Sequence, residues 1–110
     1  EEFYWGKDHV ETRKFDFAGL EETLDRLKNV PVYFTLDLDV LDPSVFPGTG
    51  TPEPGGATFE ELRKAATLVC RKGNVVACDV NELSPHYDQS GASTAVACKI
   101  VREMLLALSR

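Results

Sequence analysis

Apolar residues recur along the chain at two different spacings, and each spacing predicts one type of element. Leu20, Leu24 and Leu27 are three or four residues apart, which predicts a short helix. A break follows at Pro31. The next segment, 32–36, is continuously apolar or β-branched. That composition is typical of a strand that is covered on both faces in a parallel sheet.

The second half of the chain repeats this change of spacing. Thr58 and Glu61 have the spacing of a capping box, and the apolar face that follows predicts a helix over 58–72. Residues 75–78 predict a second buried strand. From about Ser93 onward, apolar positions again recur at helical spacing, which predicts an amphipathic helix at the C-terminal end.

The predicted elements alternate as helix, strand, loop, helix, strand, loop, helix. Alternation of this kind predicts an α/β fold in which three layers, α/β/α, surround a parallel sheet. Residues 42–56 contain four of the six prolines and four of the eight glycines, so this connection is expected to be a long irregular loop. Ligands bind beyond the carboxyl ends of parallel strands, so the loops after residue 36 and after residue 78 are expected to form the functional edge of the sheet.

The bulk composition narrows the class of protein. A length of 110 residues allows one domain or a piece of one. The net charge of -6, without a run of Lys and Arg, argues against a nucleic-acid partner. No apolar run approaches a membrane span and the first residues do not resemble a signal peptide, so the cytoplasm is the expected location. Three cysteines, Cys70, Cys78 and Cys98, are expected to be reduced core residues.

Two aspartates stand at the end of the first predicted strand. In an extended backbone Asp37 and Asp39 point to the same side, where at about 5 Å and a dielectric near 20 they repel by roughly 3 kcal/mol. A bound hard divalent ion such as Mn²⁺ or Mg²⁺ would offset this repulsion. The alternative is that one aspartate caps the loop and the other faces water. Asp42 precedes a proline and is expected to start a turn.

Two segments in this region also carry a resemblance. Thr-Leu-Asp-Leu-Asp-Val-Leu-Asp-Pro at 35–43 and Pro-Gly-Thr-Gly-Thr-Pro-Glu-Pro-Gly-Gly at 47–56 resemble the late signature of the ureohydrolases, the family of arginase and agmatinase. The resemblance implies an arginase-like fold and a site with two manganese ions. Asp37 would bridge both ions and Asp39 would hold one, while Thr51 would line the substrate pocket.

The resemblance continues at 79–85, Asp-Val-Asn-Glu-Leu-Ser-Pro. It implies that Glu82 receives the guanidinium group of the substrate, as a catalytic and substrate-binding residue beside the two aspartates. A planar guanidinium presents paired N–H donors that match the two oxygens of a carboxylate. Asp79 is either a supporting residue behind the site or a loop cap. His9 and His86 have no metal-binding spacing and are expected to be loop or surface residues.

The resemblance is also incomplete. The family's earlier metal motifs, Gly-Asp-His and Asp-Ala-His-x-Asp, do not occur in the 110 residues, so residues 1–110 correspond to a single C-terminal segment of a ureohydrolase domain. By itself the segment is expected to be inactive, because two carboxylates cannot hold a two-ion centre. Association with another copy, as a homo-oligomer, or with the upstream part is expected, because the sheet would otherwise leave exposed edges and an uncovered apolar face.

The resemblance extends to the choice of substrate. Residues 85–95 and the Pro-Glu-Pro-Gly-Gly run are more similar to agmatinase than to arginase. This implies hydrolysis of agmatine to putrescine and urea, a step of polyamine biosynthesis. The alternatives are a ureohydrolase acting on guanidinobutyrate, arginine or formiminoglutamate, and a non-catalytic truncated module that binds a partner or one weakly held metal ion.

Overall fold

Residues 2–13 and 16–109 are described by the structure, a computed structural model. The α-helices are α1 (Glu2–His9), α2 (Leu20–Leu27), α3 (Phe59–Lys72) and α4 (Ala92–Leu108), and the strands are β1 (Val32–Asp37) and β2 (Val75–Asn81). Short 3-10 turns at Leu38–Val40 and Pro85–Tyr87 follow the two strands. The predicted order of elements is confirmed. Helix α1, which the apolar spacing did not predict, has no buried residue.

The two strands pair in parallel, as the alternation of elements predicted. The register sets Leu36 beside Val80 and Asp37 beside Asn81. Both strands therefore reach the same edge of the sheet with their carboxyl ends, and the loops that follow them lie next to each other.

One face of this sheet is packed and the other is open. Leu36 is buried against the helices α3 and α4, and Phe34 and Val80 pack beside it. The core residues of the helices are Leu62, Ala66, Cys70, Ala97, Ile100, Met104 and Ala107. On the opposite face Tyr33 is 62% exposed. The prediction of strands covered on both faces is therefore wrong for this chain, because its described part places helices on one face of the sheet only.

The cysteine prediction is correct in one respect and wrong in another. All three cysteines are free, and Cys70 is buried in α3. Cys78 and Cys98 are exposed. In the described part of the chain the sheet has two strands, so β2, which carries Cys78, is an edge strand. Cys98 lies on an exposed part of α4. Apolar neighbours in the sequence therefore did not make either cysteine a core residue.

An open apolar groove lies between the end of β2 and α4. It has a volume of about 780 Å³ and is lined mainly by apolar side chains. Among them are Val80, Leu83, Val101 and Leu105, and Leu105 is 61% exposed. The groove is an uncovered face of the fold, as the sequence led us to expect.

Within residues 2–13 and 16–109, none of the helices has the length and apolar character that crossing a bilayer requires.

The start of α3 shows how local sequence fixes an element. The Thr58 hydroxyl accepts from the Glu61 backbone N–H at 3.3 Å, and the Glu61 carboxylate accepts from the Thr58 N–H at 2.8 Å. These reciprocal bonds satisfy two backbone donors that a helix start leaves without partners. The predicted capping box is confirmed, and α3 begins one residue after Thr58.

The long loop after β1 folds back on its own beginning. Asp42 N–H donates to Ala57 O at 3.0 Å, and Ala57 N–H donates to Val40 O at 2.8 Å. The backbones approach so closely that a Cβ on Gly56 would lie 2.6 Å from Asp42 N, which requires a glycine there. The Asp42 carboxylate accepts from Gly55 N–H at 2.8 Å. Its predicted role as a turn residue is confirmed, and the ends of the loop are held together.

Candidate active site

The candidate site lies where the two strands end. Asp37 is the last residue of β1, and its register partner Asn81 is the last residue of β2. Glu82 follows Asn81 directly, so parallel pairing brings the first predicted metal ligand and the predicted guanidinium acceptor to one edge of the sheet. Asp37 and Glu82 are both solvent-exposed in the chain, as residues at an open binding site would be.

The two aspartates are neighbours, although not for the reason the sequence suggested. We predicted that both would point to the same side of an extended strand, which is wrong. The strand ends at Asp37, and Asp39 lies in the 3-10 turn Leu38–Val40. The Asp37 carboxylate caps that turn by accepting from Asp39 N–H at 3.0 Å. Leu38, between the two aspartates, is fully buried and fixes the turn to the core.

Thr51 reaches this pair from the long loop. Its hydroxyl donates to the Asp39 carboxylate at 2.6 Å. The loop therefore brings the predicted pocket-lining residue into direct contact with a predicted metal ligand twelve positions earlier. Since a hydrogen bond to an ionised acceptor is shorter and stronger than one between neutral groups, this contact fixes how Asp39 presents its oxygens.

The carboxylates influence one another electrostatically. Asp37 as a residue is exposed, but the atoms around its carboxyl group partly desolvate it, and this raises its pKa. The carboxylates of Asp39 and Glu82 raise the pKa of Asp37 further, while the Asp39 N–H opposes the shift. The cluster therefore has the excess of negative charge that a bound cation would relieve.

Glu82 has a backbone conformation that glutamate rarely adopts. Its φ is 66°, in the left-handed region, and it is the one non-glycine residue with positive φ in the part of the chain that the structure describes. Such a conformation costs about 1–2 kcal/mol for a residue with a Cβ. Strain of this kind is concentrated at functional sites. This conformation was not predicted from the sequence.

Asp79 supports the open face of the sheet. Its carboxylate accepts from the hydroxyls of Tyr33 and Thr35, the latter at 2.8 Å, and from the Asn81 amide at 2.6 Å. The hydrogen bonds from Tyr33, Thr35 and Asn81 lower the pKa of Asp79. Asp79 is thus neither a loop cap nor part of the carboxylate cluster. Thr35 and Asp37 are two residues apart on β1, and Asp79 and Asn81 are two residues apart on β2, so their side chains share one face of the paired strands. This spacing is the signal that could have predicted the network.

The donor set at the strand ends fits part of a metal centre. Asp37 and Asp39 offer carboxylate oxygens, the ligand type preferred by hard divalent ions. In residues 2–13 and 16–109 no group of three or more His, Cys, Asp or Glu side chains is arranged to hold an ion. Asp37 and Asp39 therefore offer oxygen ligands for only part of a metal shell within the described residues.

Neither histidine belongs to a metal-binding group among the described residues. His9, at the end of α1, stacks on Trp5 with ring centroids 4.3 Å apart. His86 lies in the turn after β2 beside Tyr87, with centroids 4.2 Å apart. Both are exposed. The prediction of surface or loop histidines is confirmed, with His9 on a helix.

Comparison with known proteins gives consistent matches. The model of the arginase family matches residues 4–107. An agmatinase from Bacillus anthracis is 46% identical over 109 residues, which cover 96% of this chain and 38% of that protein. A mitochondrial guanidino acid hydrolase from Homo sapiens is 40% identical over 89 residues, which cover 81% of this chain and 25% of that protein.

The fold leads to the same group of proteins. A crystal structure of a protein assigned as an agmatinase from Clostridium difficile aligns with a TM-score of 0.88 and 43% identity. The alignment covers 98% of this chain and 40% of that one. The chain therefore spans well under half the length of these relatives, and it contains a part of their fold.

Proposed function

This chain belongs to the arginase family, and from that premise we propose that it forms part of a metal-dependent enzyme that hydrolyses a guanidino group to urea and an amine. Agmatine is the proposed substrate and putrescine the proposed amine. The similarity to the agmatinases of Bacillus anthracis and Bacillus subtilis, at 46% and 44% identity, supports this choice of substrate.

One structural observation carries the proposal. Asp37, Asp39, Thr51 and Glu82 come from three separate segments, and the ends of two parallel strands and one long loop bring them to a single edge of the sheet. An edge of this kind is where open α/β sheets bind their ligands. The carboxylates there leave a negative charge that suits both a divalent ion and a cationic guanidinium group.

Within this proposal Asp37 and Asp39 hold manganese. When bound, the ions would supply the chemistry that activates water for hydrolysis of the guanidino group. Thr51 keeps the Asp39 carboxylate oriented through the hydrogen bond of 2.6 Å. The aspartates thus contribute fixed oxygen ligands, and Thr51 restricts the rotation of one of them.

Glu82 is proposed to orient the substrate. A carboxylate accepts two parallel N–H bonds from a guanidinium, so the group is held in one plane and one orientation. Glu82 follows β2 directly, and its left-handed backbone changes the direction of the chain after the strand. Correct orientation of the guanidinium carbon accounts for a large part of the rate enhancement in such a reaction.

The remaining ligands are proposed to come from an upstream segment. The chain spans 38% of the length of the Bacillus anthracis agmatinase, and its two aspartates supply one side of a metal shell. The apolar groove along α4 has the character of a contact surface for that segment. By itself the chain is proposed to be inactive and to associate with the upstream segment or with another copy. The free cysteines support a reducing, cytoplasmic location.

The test is urea release by the complete protein. After loading with manganese, it is expected to release urea and putrescine from agmatine, and Asp39→Asn is expected to lose this activity together with bound manganese. Arg71→Lys, on the exposed end of α3, is the control and should retain both. If no guanidino compound yields urea with the manganese-loaded protein, the proposed function is wrong.

A second substrate class is favoured by one comparison. The mitochondrial guanidino acid hydrolase from Homo sapiens is 40% identical over 89 residues. The name of that protein indicates a guanidino substrate with an acid group in place of the primary amine of agmatine. A panel of agmatine, guanidinobutyrate and arginine separates these possibilities, because the three share the guanidino group and differ at the far end. Formiminoglutamate, which carries a formimino group and cannot yield urea, tests the remaining alternative.

A further inference from the structure

One buried hydroxyl joins the start of α4 to the loop that carries Thr51. The Ser93 side chain is 0% exposed. Its hydroxyl accepts from Gly48 N–H at 2.8 Å and donates to the Asp88 carboxylate at 2.7 Å. The hydroxyl thus acts both as a hydrogen-bond acceptor and as a donor, so its orientation is fixed.

Asp88 determines which way the Ser93 hydroxyl points. Its Oδ2 accepts from the Ser93 N–H at 2.7 Å as well as from the hydroxyl. Its Oδ1 accepts from the Ser90 N–H at 3.0 Å and the Ser90 hydroxyl at 2.6 Å. A carboxylate with these partners accepts only, so the Ser93 proton faces Asp88 and a lone pair remains for Gly48.

Gly48 connects Ser93 to the loop after β2. A Cβ on Gly48 would lie 2.7 Å from Ser93 Cβ, so the Gly48 backbone approaches the Ser93 side chain as closely as a glycine allows. The Gly48 carbonyl accepts from Ser84 N–H at 2.7 Å. Ser84 is two residues after Glu82, and Gly48 is three residues before Thr51.

We propose that Ser93 is a positioning residue for the guanidino site: through Gly48 it holds the loops that carry Thr51 and Glu82 in one fixed register. The assignment of a guanidino site rests on the proposed function. The relative position of the two loops is a property of the folded chain and does not depend on the proposed function. It matters because Thr51 touches Asp39 and Glu82 orients the substrate, and a displacement of about 1 Å at such a site lowers rates about a hundredfold.

The first test measures amide exchange in the 110-residue chain by NMR. With Ser93→Ala, exchange at Gly48 and at Ser84 is expected to become about tenfold faster or more, as for a lost buried hydrogen bond, while the amides of β1 remain protected. Ser90→Ala is the matched control, because the Ser90 hydroxyl donates to the same Asp88 carboxylate, whereas the Gly48 N–H donates to Ser93. It should leave both amides protected.

Two results of this test would overturn the proposal. One is unchanged protection at Ser84 after Ser93→Ala, which would show that the loops are not coupled. The other is unprotected exchange at Gly48 in the unsubstituted chain. The second measurement needs no variant, so it decides the matter even if Ser93→Ala fails to fold.

The second test uses the complete enzyme. Ser93→Ala is expected to raise KM for agmatine about tenfold with a smaller change in kcat, because the lost contact positions substrate-binding groups, while Ser90→Ala leaves both unchanged. A lower thermal stability with an unchanged KM would reduce Ser93 to a structural role and overturn the proposal. If the unsubstituted enzyme releases no urea, the proposed function fails, and the exchange measurements alone decide the coupling of the loops.

Discussion

The hydroxyl of Thr51 donates to the carboxylate of Asp39 at 2.6 Å. Thr51 belongs to the long loop and Asp39 to the turn after β1, so this bond joins two segments that only the folded chain brings together. It gives Thr51 a role beside the proposed one in the substrate pocket, which is to hold a carboxylate that we propose to bind manganese.

The first prediction concerns Thr51. Thr51→Val keeps the shape of the side chain but removes the hydroxyl, so Asp39 loses its donor. In the complete enzyme, kcat/KM for agmatine is expected to fall about tenfold to a hundredfold, the range for a lost hydrogen bond to a charged group. Thr51→Ser, which retains the hydroxyl, should stay within about threefold of the original enzyme. Equal losses for both variants would contradict a role for the hydroxyl.

The second prediction concerns the backbone of Glu82. Glu82→Gly removes the penalty of its φ of 66°, so the free energy of unfolding is expected to rise by up to about 1 kcal/mol relative to Glu82→Ala, which keeps a Cβ. In the complete enzyme both variants should lose urea formation, because both lose the carboxylate. The stability difference is measured on the chain by equilibrium unfolding with urea as the denaturant. A Gly variant no more stable than the Ala variant would show that the left-handed conformation is not present in solution.

The third prediction concerns pH and Asp88. Hydrogen bonds from the hydroxyls of Ser90 and Ser93 and from the Ser93 N–H lower the pKa of Asp88. Its pKa in the folded chain thus lies below the unfolded value of about 3.9. The stability that it contributes is fully present above that value and is lost as the pH falls toward the folded pKa.

The measurement for Asp88 compares variants at two pH values. The stability difference between the original chain and Asp88→Asn is expected to be largest near pH 6 and to shrink below about pH 4. Asp8→Asn, on the exposed helix α1, makes the same change of charge elsewhere and should show no such difference. A difference that grows as the pH falls would have the wrong sign for this mechanism.

The fourth prediction concerns the apolar groove. Leu105 is 61% exposed and lines the groove with Val101. The chain is therefore expected to associate in solution at micromolar concentrations, and the double substitution Val101→Lys with Leu105→Lys should reduce that association. Lys64→Glu, on the exposed side of α3, is the control. Analytical ultracentrifugation is the measurement, and a single species of 12.2 kDa for the original chain would contradict the prediction.

Local patterns sufficed to predict the helices α2, α3 and α4 and both strands, but not α1. The leucine spacing at 20–27, the capping box at Thr58 and the apolar segment at 32–36 each fix hydrogen bonding or burial over a few residues, and all are observed where they were expected. Burial on the sheet was predicted less well. Tyr33 and Cys78 are exposed because coverage depends on which other segments pack on the sheet, and the sequence of one strand does not contain that information.

The sequence predicted which residues form the candidate site but not how the fold brings them together. The resemblance carried by 35–43, 47–56 and 79–85 identified Asp37, Asp39, Thr51 and Glu82, and the fold places them at one edge. Their catalytic and metal-binding roles stay predictions. The left-handed backbone of Glu82 and the Ser93–Gly48 contact were not predicted, because each depends on the path of a loop with many prolines and glycines.

The sequence by itself determined the type and order of the elements, the family resemblance and the carboxylates that stand at the strand ends. These follow from side-chain periodicity and short motifs, which act over a few residues. Only the tertiary structure decided that Thr51 bonds to Asp39, that Asp79 belongs to a separate network, and that one face of the sheet remains open. Such contacts join residues distant in the chain, and their energies are realised only when parallel pairing and loop closure bring the segments together.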